Sequence, residues 1–274
     1  MAKPKNKHIA PRRRWRFPAA IERDYQRILR AVARALAEAT RQNISFINSY
    51  LRQDETDSEY ILRLIRAAYT NVGSTARAIS QAARTAERVK GYTRNEFYEV
   101  LRSAFKIDVF VAEPDLTKMV EEWTAENVRL IKTIPEQYFE NLQGIVSRGL
   151  QQGALGGDMA SDIKNLYAVT NRRAQMIARD QVASLNGLIS QKRQTAAGIT
   201  FYQWSTSKDA RVRDSHAEQE GRYYAWPGSG AVGMSFNGKT VLPPPLKGPP
   251  GIEINCRCVA LPIIDLDTIQ MLKI

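Results

Sequence analysis

The chain is poor in residues that staple or anchor proteins. Its 274 residues hold only two cysteines and two histidines. Cys256 and Cys258 stand one residue apart and cannot cross-link a domain of this size, which excludes a disulfide scaffold and points to a reducing cytoplasm. No apolar run is long enough to span a bilayer, and the charged N-terminus has no apolar segment of signal-peptide length behind it. The expectation is a protein that is not exported and has no membrane partner. Acidic residues are missing altogether before Glu22.

Positive charge is what the chain has in excess: 40 Lys and Arg stand against 28 Asp and Glu, a formal net charge of +12. Such an excess favours polyanionic partners, either nucleic acid or an acidic protein surface. Hydrophobic residues at 43% and charged residues at 25% are ordinary for a globular protein of one or two domains. The charge is concentrated in residues 1–18, which carry Lys3, Lys5, Lys7, Arg12, Arg13, Arg14 and Arg16, while Pro4, Pro11 and Pro18 discourage helix. This stretch reads as a flexible basic arm. Its cations suit phosphate contact, with Trp15 and Phe17 available to stack on bases or anchor in a partner's groove. A solvated tail is the plainer alternative.

Residues 19–152 read as a helical region. Ile21, Tyr25, Ile28, Leu29, Val32 and Leu36 recur at helical spacing, and Tyr60/Ile61, Leu64/Ile65 and Ala68/Tyr69 repeat every fourth residue up to an expected stop near Gly91. Thr93 with Glu96 looks like a capping box, and Pro114 and Pro135 look like first-turn prolines of two further helices. The Gly/Gln-rich joint at 149–157 is the expected boundary to a domain at 153–274. There, Thr170 or Asn171 would cap a long helix with Met176, Ile177, Leu185 and Leu188 on its apolar stripe.

After Gly198 the period changes to alternation, with Ile199, Phe201 and Gln203 against Thr200, Tyr202 and Trp204, so a strand is expected. A second strand candidate, 252–261, carries both cysteines. The fold class is therefore α+β: a mainly helical N-terminal region followed by a smaller α+β domain with a short sheet. Gly228, Gly230 and Gly233 formally match a dinucleotide fingerprint, but Pro227 precedes them and no helical pattern follows, so a loop is expected.

The densest cluster of polar and special residues lies between Trp204 and Cys258. It contains Asp209, Arg211, Arg213 and His216, then Gly221, a proline run at Pro243, Pro244 and Pro245, and finally Asn255, Cys256, Arg257 and Cys258. Preceded by Arg179-Asp180 and by the strand from Gly198 to Trp204, this order resembles the Mu F-like minor head proteins of tailed bacteriophages, the phage head morphogenesis family. The likeness covers about the C-terminal third. It implies a structural hub of Arg179, Asp180, Trp204, Asp209, Arg211, His216, Gly221, Asn255, Cys256, Arg257 and Cys258. Arg179-Asp180 stands where the family carries Arg-Thr-Glu, so the acid is displaced.

Some members of that family place Cys-x-x-Cys after the Asp-x-Arg step and His-Pro before Asn-Cys-Arg-Cys, a set suited to tetrahedral zinc. This sequence has Arg213 and His216 at the first pair and Glu253-Ile254 at the second. His216, Cys256 and Cys258 remain as soft donors, and a fourth would be Asp209, Glu253 or water. The expectation is a hydrogen-bonded hub without a cofactor, with structural zinc as the alternative. Cys256 or Cys258 beside His216 could serve a hydrolase, yet no glycine turn presents the thiol. The acids Asp209, Asp214, Glu218 and Glu220 lack the spacing of a metal-dependent nuclease. An enzyme is not expected. The resemblance implies a minor capsid protein acting in head assembly, located in the virion and, during assembly, in the host cytoplasm. Its partners would be the portal protein, other capsid components and packaged DNA. A basic nucleic-acid-binding protein independent of any capsid is the alternative.

Overall fold

The computed structural model describes residues 8–50, 58–106, 111–152, 159–266 and 269. Lys3, Lys5, Lys7, the polar cluster at 54–57 and the joint at 153–158 lie outside the described residues. Five long helices come first: α1 (Ala19–Tyr50), α2 (Ser58–Val72), α3 (Ser74–Phe105), α4 (Thr117–Gln151) and α5 (Ala160–Ala196). A short sheet follows, so the fold is α+β as expected. Among the described residues no helix is long and apolar enough to cross a membrane.

Several local signals were overruled by packing. α3 runs through Gly91, and Thr93 and Glu96 lie inside it instead of capping a new helix. Both are taken up by tertiary contacts: Thr93 Oγ1 accepts from Arg193 at 2.5 Å, and Glu96 accepts from the Arg13 guanidinium at 2.8 Å and from the Arg16 N–H at 3.1 Å. Pro135 likewise sits inside α4, where it cannot donate to the carbonyl one turn back. Burial of Ile131, Ile134, Tyr138 and Leu142 around it offsets that loss. Thr170 and Asn171 fall within α5, which begins at Ala160, and Thr170 Oγ1 bonds back to the Leu166 carbonyl at 2.8 Å. Met176, expected on the apolar stripe, is exposed, whereas Ile177 and Leu185 are buried.

The chain forms two compact units, each discontinuous in sequence, whereas the boundary expected near 152 is a single cut. One unit comprises 22–85 and 121–179, and the other comprises 1–21, 86–120 and 180–274. The first is helical. Its core includes Leu29, Val32, Leu36, Ile65 and Leu142, and two buried polar pairs lie within it: Tyr25 Oη donates to Asn127 at 2.7 Å, and the hydroxyls of Thr40 and Tyr138 lie 2.9 Å apart.

The second unit holds a four-stranded antiparallel sheet ordered β1-β6-β2-β3, with β1 at His8–Ile9, β2 at Phe201–Ser205, β3 at Tyr223–Ala225 and β6 at Val259–Asp265. A separate hairpin pairs β4 (Ser235–Phe236) with β5 (Lys239–Thr240). Alternation along β2 sends Tyr202 and Trp204 into a cluster with Trp15, Phe97, Val100 and Trp226, and Phe201 into one with Tyr223, Phe236 and Ile263. Both faces of the strand are thus buried. Gln194 of α5 ties helix to sheet, its amide donating to the Ala260 carbonyl at 2.9 Å and accepting from the Trp226 indole at 3.2 Å.

Over residues 8–18 the expected flexible arm is corrected. β1 pairs with β6, His8 opposite Asp265, and Trp15 is only 4% exposed, with its ring 6.1 Å from that of Phe97. Trp15 is therefore a core residue of this unit and is not available to stack on a base or fill a partner's groove. Arg13 is also committed, to Glu96 at 2.8 Å and Glu99 at 3.2 Å. Arg12, Arg14 and Arg16 remain exposed. The physical reason is alternation: an extended segment turns Trp15 inward and its two arginine neighbours outward.

Candidate functional site

β2 ends at Ser205, and the chain then turns through Asp209 into a one-turn helix, α6 (Asp214–Ala217), which delivers His216 to the interior at 4% exposure. Asp209 builds that turn. Its carboxylate accepts from the Arg211 N–H at 3.0 Å and pairs with the guanidiniums of Arg211 at 3.2 Å and Arg257 at 3.6 Å. Burial works to raise the Asp209 pKa, but these donors outweigh it and leave the group below the usual aspartate value. The return path depends on Gly221, whose φ of +75° is left-handed and whose N–H donates to the Trp204 carbonyl at 2.9 Å.

The cysteines arrive from the other side, and not as expected on a strand. β6 begins only at Val259, so Cys256 and Cys258 occupy the turn before it. Asn255 at φ +61° makes that turn, a conformation asparagine tolerates better than most residues. Its N–H donates to Asp180 of α5 at 3.3 Å. Burial raises the Asp180 pKa, and this hydrogen bond partly opposes the rise. Arg179 lies 3.5 Å from the buried Glu22 in the helical unit. The Arg179-Asp180 pair is thus divided between two roles. Gly187 and Gly251 permit close approach of α5 to the cysteine turn, since a Cβ on Gly187 would lie 2.6 Å from the Pro250 carbonyl oxygen.

The three soft donors converge. His216 Nδ1 is 3.5 Å from both Cys256 Sγ and Cys258 Sγ, and all three residues are buried. Cys256 Sγ also accepts the backbone N–H groups of Gly251 and Cys258, each at 3.4 Å. Hydrogen bonding from the Cys258 thiol, then these N–H groups and the nearby imidazole, pull the Cys256 thiol down to about 6 against the burial that would raise it. Cys258 is pushed up, first by its bond to Cys256 and then by burial. The pair therefore releases one proton readily and holds the second. The Trp204 ring meets His216 edge-on at 5.6 Å.

The arrangement provides three corners of a tetrahedral thiophilic site, the donor atoms lying within 4.8 Å of one another. Neither protein residue weighed as a fourth donor supplies one. Glu253 lies beside the far ring nitrogen, 3.3 Å from His216 Nε2, and Asp209 is engaged by arginines. Both sulfurs are deeply placed: Cys256 is 3% exposed and Cys258 is 4% exposed. The residues that sequence reasoning missed are Glu253 as the neighbour of His216 Nε2, Gln194 and Arg193. Arg193 is 1% exposed and bridges Thr93 and Glu113 within its unit. Its only sequence signal is its place four residues after Ile189 on a buried helix face. Gly228, Gly230 and Gly233 all have positive φ in turns before the β4–β5 hairpin, with no helix to receive a pyrophosphate.

A compact antiparallel sheet packed on helices and closed by a Cys-x-Cys turn defines this part of the chain as a small α+β module organised by buried polar contacts. Residues 140–261 match the family described as Phage Mu protein F like protein, and this part of the chain is similar to that family. The matched segment includes every residue of the hub. An uncharacterized protein of Haemophilus influenzae (strain ATCC 51907 / DSM 11121 / KW20 / Rd) is 39% identical over 152 residues, covering 56% of this chain and 31% of that protein. The chain thus spans about a third of the length of that relative. No solved structure matches.

Proposed function

We propose that this protein is a minor head protein of a tailed bacteriophage that acts in head assembly by contacting the portal and other capsid components, and that reaches the virion from the host cytoplasm. The observation that carries this reading is the family match over 140–261, which contains the complete hub. The hub acts as a scaffold: Trp204, His216 and the cysteine turn hold the ends of the inner strands β2 and β6, and Asp180 and Gly187 hold the turn against α5. In this reading the hub works without metal, because the three soft donors lack a fourth from the protein, and the chain turns over no substrate. Packaged DNA is a further partner, supported by the net charge of +12 and the exposed Arg12, Arg14 and Arg16.

The test is to purify phage heads and probe them for this chain, and to co-express it with the cognate portal protein. The expected result is a chain that co-sediments with heads and co-purifies with portal at moderate salt. The competing reading, a nucleic-acid-binding protein independent of a capsid, predicts a chain absent from heads and bound only to DNA. That binding would weaken steeply with salt as counterions are released.

A further inference from the structure

Beside the hub, and sharing Arg257 with it, the second unit contains a cavity of about 620 Å³. Its walls come from the N-terminal segment around Trp15, from the turn after β2, and from Arg257 of the cysteine turn. The volume is that of a small-molecule site. Its lining is cationic: Arg13, Arg14, Arg16, Lys208 and Arg257 border it, and no carboxylate does.

The cations differ in how far they are already neutralised. Arg13 is held by Glu96 and Glu99, Lys208 lies 3.2 Å from Glu220, and Arg257 lies 3.6 Å from Asp209. Arg14 and Arg16 are exposed, and their guanidiniums have no carboxylate partner among the described residues. They are also pre-positioned. Trp15 between them is buried, and the Arg16 N–H is fixed on Glu96 at 3.1 Å, so the backbone carrying both guanidiniums is anchored before any ligand arrives. Ser207 adds an exposed hydroxyl on the opposite wall. Two uncommitted guanidiniums on an anchored backbone facing a lysine and a hydroxyl suit tetrahedral oxyanions carrying more than one negative charge.

We propose that the cavity bordered by Arg14, Arg16, Ser207, Lys208 and Arg257 is a binding site for phosphate groups, the chemistry shared by a nucleic-acid strand and a free nucleotide. The site does not rest on the head-assembly reading, because it is tested on the isolated chain and neither heads nor portal enter the measurement.

The experiment uses the full chain and three probes: a fluorescently labelled single-stranded oligonucleotide, pyrophosphate and ATP. Arg14→Gln/Arg16→Gln is compared with Arg77→Gln/Arg84→Gln, which removes the same charge from exposed positions of α3. The expected result is that wild type binds a phosphate probe and that Arg14→Gln/Arg16→Gln weakens binding about ten-fold or more, whereas the α3 variant does not. For the oligonucleotide, the salt slope should fall by about 1.4, from ~0.7 per lost single-strand contact, when measured between about 50 and 200 mM salt. Ser207→Asp, which places a carboxylate in the cavity wall, should weaken binding comparably and leaves the N-terminal segment untouched. Oligonucleotide binding that pyrophosphate fails to displace identifies a strand as the source, and stoichiometric pyrophosphate or ATP binding without the oligonucleotide identifies a free nucleotide. Both support the site if Arg14→Gln/Arg16→Gln removes them. Failure of all three probes to bind wild type, or equal weakening by both double variants, overturns it.

Discussion

Gly187→Ala separates two opposing effects that have known sizes. In a helix interior alanine is favoured over glycine by about 1 kcal/mol, so on an open face the change would stabilise. Gly187 is not on an open face. An added Cβ would stand 2.6 Å from the Pro250 carbonyl oxygen and 3.5 Å from Gly251 Cα, and both are backbone atoms that cannot rotate away. The reciprocal position is equally tight, since a Cβ on Gly251 would lie 2.8 Å from the Ala183 carbonyl oxygen. Overpacking of this kind costs about 1–3 kcal/mol. The cysteine turn must therefore move off α5, and the net change should be destabilising by up to about 2 kcal/mol, with Tm lower by about 2–4 °C per kcal/mol. Gly91→Ala is the matched control. It lies in α3 with nothing within 4 Å of the added Cβ, so only the propensity gain of about 0.5–1 kcal/mol applies, and Tm should rise. Urea and thermal unfolding of both variants give the signs directly. A Gly187→Ala protein stabilised as much as Gly91→Ala would refute the close approach of α5 to the turn that positions Cys256.

Trp204→Ala removes an indole that is 3% exposed and should cost about 3–5 kcal/mol in unfolding free energy; unchanged stability would show that the ring is not part of the core. Unlike a short trim at the N-terminus, the longer deletion of residues 1–18 should lower Tm as a core mutation does, because β1 and Trp15 go with it. An unchanged Tm for the longer deletion would return these residues to a flexible arm. Titrating the ultraviolet thiolate absorbance of chelator-treated protein should show one thiolate per chain forming near pH 6 and vanishing in Cys256→Ser. Because this pKa is depressed, its contribution to stability is full above the unfolded thiol value of about 8.5 and is lost as pH falls through about 6. Elemental analysis of protein purified without chelator should find no stoichiometric zinc. One zinc per chain, with unfolding on chelation, would overturn the metal-free hub.

Much of the architecture could be read from local patterns. The spacing of Tyr25, Leu29, Val32 and Leu36 specifies the buried stripe of α1, and the alternation from Phe201 to Trp204 specifies β2, because periodicity depends only on neighbours along the chain. The residues from Asp209 to Gly221 likewise announce a turn by their own chemistry. The readings that went astray depended on signals that long-range packing overrides. Gly91 and Pro135 weaken a helix by an amount that burial of one or two side chains exceeds, so neither ends one. Thr93 and Glu96 have the spacing of a cap, but their hydrogen-bonding capacity is taken by Arg193, Arg13 and Arg16, which no local rule connects to them.

By itself the sequence determined the α+β class, the excess of positive charge and the identity of the soft donors His216, Cys256 and Cys258. Only the tertiary structure decided how they are used. It seated both cysteine sulfurs on one imidazole nitrogen and Glu253 on the side of the other. It also sent Arg179 and Asp180 to different partners and drew the N-terminal segment into a sheet whose partner strand lies at the far end of the chain. The reason is physical: strand pairing and the ionisation of a buried thiol depend on which groups surround an atom in space, and residues more than 250 positions apart, such as His8 and Asp265, leave no periodic trace of meeting.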